Sequence, residues 1–195
     1  MGIHQTAIVL TDFIVQAQYD EKLSEKINVI QDVARDLVFD KLDYYTVDEL
    51  NLFINLISIS PNFNYIYGVY LDCERLFSRQ DFNAMYRNQS ESIQQLLMIR
   101  FNMIILCMKH QSKNLAKKII FLAQQLKEVI DDMYSVLLLR LIDVIELIIS
   151  KKEERAKNLY DNIFSAMSYF LPATGQFRFE MLFLNSFEQF KQTLE

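Results

Sequence analysis

Leu96-Leu97-Met98-Ile99-Arg100 is echoed forty residues later by Val136-Leu137-Leu138-Leu139-Arg140. The echo continues beyond the arginines. Ile104-Ile105 is matched by Val144-Ile145, and Ala116-Lys117, Ile120 and Ala123 by Ala156-Lys157, Tyr160 and Ile163. Each copy reads as an apolar helix with one arginine, a polar break, and a second helix with small or apolar residues at i, i+4 and i+7. Self-similarity at such a period is the signature of stacked helical hairpins, each too small to bury its apolar face alone.

The rest of the chain agrees with an all-α fold. Of 195 residues, 51% are apolar, enough for a substantial core, and only three glycines and two prolines interrupt them. Ile3 to about Gln18 reads as a first helix. Lys22 to Phe39 reads as a second, with Leu23, Ile27, Ile30, Ala34 and Leu37 on one face. Thr46-Val47-Asp48-Glu49 is a capping box that opens a third through Leu50, Phe53, Ile54 and Ile57. Asn62 to Ser78 is an aromatic fourth, in which Gly68 would permit close packing. A polar connection, Arg79 to Ser90, precedes the two hairpins, Ile93 to Val129 and Asp131 to Phe170. Pro172, Thr174 and Gly175 break the chain before a last helix, Phe179 to Leu194. Residues 1–195 therefore read as a single helical-repeat domain: N-terminal helices over 1–90, two clear repeats over 91–170, and a terminal helix over 171–195.

Charge and motif content narrow the function. The formal charge of −5 and the lack of a basic face argue against nucleic-acid binding by this chain. The greasiest stretch, Val136 to Ile149, contains Arg140, Asp143 and Glu146 and cannot be a membrane span. Asp12 interrupts the first apolar run, so no secretory signal is read, and Cys73 and Cys107 sit in apolar contexts as buried free thiols. A cytoplasmic location is the expectation. His4 and His110 lie far apart, and no Cys/His or carboxylate/His spacing suits a metal. No glycine-rich phosphate loop occurs. No enzyme, metal or cofactor is expected.

The arginines carry more information. On a helical wheel Ile93, Leu96, Leu97, Met103, Ile104 and Cys107 fall within about 60° of Arg100, while Gln95, Asn102 and Lys109 fall opposite. Arg140 holds the matching place in its own helix, but Asp143 follows at i+3, where an ion pair can form. Arg100 has Met103 there instead. A guanidinium in an apolar stripe demands an answer. A carboxylate from another helix, such as Asp143, supplies it, the side chain snorkels to water, or the stripe lines a concave groove where a peptide does.

Tyr45-Thr46-Val47-Asp48-Glu49-Leu50-Asn51-Leu52-Phe53 resembles a helix opening of the Rgg/GadR/MutR transcriptional regulators. Asn102 after Arg100, Asn114 before Ala116, and Leu137-Leu138-Leu139-Arg140 are similar to that family's repeat region, and the Ala116, Ile120, Ala123 pattern is similar to the second helix of a tetratricopeptide repeat. The resemblance spans roughly Lys22 to Phe170. It implies a degenerate tetratricopeptide-like superhelix of stacked antiparallel hairpins that binds short signalling peptides and helps the regulator dimerise. The family's helix-turn-helix is not seen ahead of the repeats. The chain would then be the sensor half of a longer regulator or a stand-alone relative, touching DNA only through another domain.

The expected peptide-binding residues are Arg100, Asn102, Met103, Arg140 and Asp143. Phe179, Phe183, Phe187 and Phe190 line one side of the last helix, to cap the stack or to join two copies in a homodimer. The competing expectation is a protein–protein scaffold without a small ligand, its groove filled by its own side chains.

Overall fold

A computed structural model describes residues 2–17, 26–41, 45–60, 62–78, 90–170 and 186–195. Among them every regular element is helical and no strand occurs. The elements are α1 (Ile3–Ala17), α2 (Ile27–Leu37), a 3₁₀ turn (Phe39–Lys41), α3 (Val47–Ile59), α4 (Phe63–Ser78), α5 (Ser90–Lys109), α6 (Lys113–Gln124), a second 3₁₀ turn (Gln125–Glu128), α7 (Met133–Ile149), α8 (Glu153–Phe170) and α9 (Phe187–Gln192). Leu23, the connection at 79–89, the break at Pro172–Gly175, Phe179 and Phe183 lie outside the described residues. The chain divides into two compact units, Met1–Met103 and Ile104–Glu195, with the division inside α5.

In the first unit α1 packs against α2 and α3. Ala7, Leu10 and Ile14 form its buried face at helical spacing and meet a core built on Leu52, Phe53, Leu56 and Ile57. Phe39 stands edge-on to both Tyr45 and Phe53, with ring centroids 5.6 and 5.8 Å away. The capping box read from Thr46 and Glu49 is present. The Glu49 carboxylate accepts from the Thr46 amide at 2.7 Å and from the Thr46 hydroxyl. Its other oxygen meets His4 Nδ1 at 2.6 Å, so one buried carboxylate ties the start of α1 to the start of α3. Burial pushes the Glu49 carboxyl up, but the donors from Thr46 and His4 outweigh it and hold the group below the usual carboxylate range.

One expectation for this unit is corrected. A Cβ added at Gly68 would meet nothing within 4 Å, so this glycine serves no close approach.

In the second unit α7 packs against both α6 and α8. The small and apolar second-helix residues of the repeat face inward: Ala116, Ile120 and Ala123 from α6, and Ala156, Tyr160 and Ile163 from α8 are all buried. Small residues at these places let neighbouring helices approach closely.

The repeat also returns as backbone geometry. α5 ends at Lys109 and α7 at Ile149, and the next helices begin at Lys113 and Glu153. Both turns are Schellman motifs. Gln111 N–H donates to Met108 O and Ser112 N–H to Cys107 O, each at 2.8 Å. Lys151 N–H donates to Ile148 O and Lys152 N–H to Leu147 O, each at 2.9 Å. Gln111 (φ 55°) and Lys151 (φ 57°) are the described non-glycine residues with positive φ, and they stand forty positions apart. Two helices thus stop in the same way at equivalent places, with an L-residue where glycine is the cheaper choice.

Candidate functional site

A hollow of about 420 Å³ opens on α7 in the second unit, lined by Gln124, Lys127, Ile130, Val136, Leu139, Arg140 and Asp143. Local chemistry builds it. Asp132 caps α7, accepting from the Ser135 amide at 2.8 Å, and this fixes where the helix starts. From there Val136, Leu139, Arg140 and Asp143 recur at i, i+3, i+4 and i+7 and so share one face. The rest of the lining comes from the end of α6 and beyond: Gln124, then Lys127 within the 3₁₀ turn Gln125–Glu128, then Ile130.

The lining combines the apolar Ile130, Val136 and Leu139 with the charged Lys127, Arg140 and Asp143. Arg140 Nη1 donates to Asp143 Oδ2 at 3.2 Å, the i,i+3 pair expected from sequence. Gln124 Nε2 donates to Asp143 Oδ1 at 3.4 Å and to Glu146 Oε2 at 2.8 Å, linking α6 to α7. Lys127 forms no ion pair with a described residue. Of the lining, Val136 is 44% exposed, and Val129 and Met133, neighbours of the lining in sequence, are 50% and 49% exposed. Arg140 is half exposed, so its pair with Asp143 is weak and can open to a ligand.

The residues expected around Arg100 have a different fate. Arg100 is buried and forms a bidentate pair with Glu74 of α4: Nε donates to Oε1 and Nη2 to Oε2, both at 2.8 Å. The answering carboxylate is therefore Glu74 rather than Asp143. Met103 is fully buried, and Asn102 Nδ2 donates to the Ile54 carbonyl at 3.3 Å. Gln95, placed on the wet side of the helical wheel, is also buried and donates to Val47 O and Asn51 Oδ1. The wheel misleads because α5 is covered on its polar side as well as its apolar side. Arg100, Asn102 and Met103 belong to the first unit, whereas Arg140 and Asp143 meet each other in the second.

The described part of the terminal aromatic stripe caps the second unit from within. Phe187 and Phe190 are buried against Tyr160, with ring centroids at 5.9 and 5.2 Å. Ser186 caps α9 by accepting from the Gln189 amide, and Lys191 pairs with Glu153 of α8 at 2.5 Å.

Sequence reasoning missed Gln124, Lys127, Ile130, Val136 and Leu139 as lining residues. Val136 and Leu139 were visible as the turn-spaced neighbours of Arg140. Nothing local marks Lys127, because its place depends on the 3₁₀ turn after α6. Elsewhere, burial raises both thiols, that of Cys107 to about 12. Among the described residues no three His, Cys, Asp or Glu side chains cluster as a metal site, and no helix is long and apolar enough to cross a membrane. Compared with protein-family models, curated proteins and solved structures, the chain matches none.

Proposed function

We propose that this chain is the ligand-sensing and dimerising part of a transcriptional regulator. Its hairpins form a degenerate tetratricopeptide-like superhelix, and it binds a short peptide on α7. The observation that carries the proposal is the hollow itself. It sets the apolar Ile130, Val136 and Leu139 beside Lys127, Arg140 and Asp143, the mixture of apolar wall and few polar groups that suits a small ligand. The two equivalent Schellman turns support the repeat, and the loose resemblance to Rgg-type regulators supports the regulatory setting. Dimerisation rests on that resemblance alone, since Phe187 and Phe190 face Tyr160 inside the unit.

The mechanism is a population shift: a peptide that prefers one arrangement of α6 against α7 biases the domain toward it. The Arg140–Asp143–Gln124 chain is where such a bias would act, because it spans both helices. The test is fluorescence-polarisation titration of a hydrophobic hexapeptide pool. Arg140→Ala should weaken binding about tenfold, the worth of a charge-assisted hydrogen bond. Equal binding by wild type and Arg140→Ala would remove α7 as the site.

A second reading, a scaffold with no small ligand, is favoured by one observation. The position where Arg100 was to meet a peptide is filled by Glu74. This reading expects a constant macromolecular partner in affinity capture and no saturable peptide binding.

A further inference from the structure

We infer that the hollow on α7 takes the free C-terminal end of its peptide, an apolar last residue whose carboxylate is held by Lys127 and Arg140. The inference rests on the peptide-binding reading and adds the chemical identity of the group recognised. Three observations carry it, beginning with the supply of donors. Lys127 brings an ammonium that forms no ion pair among the described residues, and Arg140 gives Asp143 one N–H of the five its guanidinium carries.

The second observation is the state of the carboxylate. Asp143 Oδ2 already accepts from Arg140 and Oδ1 from Gln124. A ligand amine entering here would compete with these donors. A ligand carboxylate finds donors on offer. Glu146 likewise accepts from Gln124, so both carboxylates here already hold donors, while Lys127 and most of the Arg140 fork do not serve them.

The third observation is that apolar and charged residues line the hollow side by side. Leu139 and Arg140 are adjacent on α7 and line the same hollow. An apolar side chain on Ile130, Val136 and Leu139, with a carboxylate on the same residue, matches a chain terminus. There the carboxylate carbon is bonded directly to the Cα that bears the side chain. The volume of about 420 Å³ lies near the lower end of ligand pockets, room for a peptide's end.

The experiment compares two hexapeptide pools built from Leu, Ile, Val, Phe and Ser. Both are acetylated and fluorophore-labelled at the same internal position, one ending in a free acid and the other in an amide. Each is titrated against the whole chain and against Lys127→Met and Arg140→Met. Both side chains are exposed, and helical circular dichroism confirms that the variants fold. The acid pool should bind about tenfold more tightly, from charge-assisted hydrogen bonding, and the preference should shrink in each variant and in high salt. Equal binding of the two pools overturns the inference and leaves peptide binding standing. A preference that survives both substitutions also overturns it, by placing the carboxylate elsewhere. Binding by neither pool overturns the peptide reading and the inference together.

Discussion

Arg100 shows how one residue can be legible in kind and not in partner. Its place within an apolar stripe was readable from the helical wheel, and it is buried. Its counter-ion was not readable, because Glu74 lies 26 residues earlier on another helix and no local spacing links them. Removing one member of such a pair leaves a buried, unanswered charge. Arg100→Ala should therefore lower stability by about 3 kcal/mol in urea denaturation. It should leave peptide affinity unchanged, which separates its role from that of Arg140. Glu49 makes a second claim at this scale. Its folded-state pKa is held below the usual carboxylate range by donors from Thr46 and His4. Its contribution is therefore complete above the unfolded carboxylate value of about 4.3 and is lost as pH falls through the lower folded value. Urea midpoints measured against pH should show Glu49→Gln less stable than wild type near neutrality, with the gap closing in acid. A gap independent of pH would show that the carboxylate's charge is not what holds α1 to α3.

Helix bounds were largely legible from apolar periodicity, caps and breaks, since those signals are local. The ends of α5 and α7 fall at the polar breaks read from sequence, but the way they stop was not legible there. Neither turn has the glycine that normally marks a Schellman stop, and Gln111 and Lys151 take positive φ without it. Gln111→Gly and Lys151→Gly should each stabilise the protein by about 1 kcal/mol, read as a rise in the urea midpoint. Loss of stability in either would show that the side chain does something there beyond closing the turn. α4 gives the opposite case. Gly68 has open space where a Cβ would stand, so the helix bears the glycine's entropic cost without a packing return. Gly68→Ala should stabilise by about 0.5–1 kcal/mol by the same measurement.

At the scale of the whole molecule, the all-helical class was legible from few glycines, few prolines and long apolar periodicity. The candidate site was half legible. Arg140 and Asp143 share a helix, and their spacing announced them. Gln124, Lys127 and Ile130 come from α6 and the segment after it, and only the packing of α6 against α7 brings them to the same hollow. Part of the polar side of α5 was misread for a related reason, since Gln95 and Asn102 bond to backbone carbonyls of α3. A wheel reports which residues share a face, and the neighbours of that face are set by tertiary packing. The central claim, that α7 presents the ligand site, is tested most directly by methyl NMR with the free-acid hexapeptide pool on Ile-, Leu- and Val-labelled protein. The account predicts saturable shifts at Ile130, Val136 and Leu139 with Ile14 and Leu52 unmoved. Shifts centred on Leu97 and Ile99 beside Arg100, with the methyls of α7 unmoved, would contradict it.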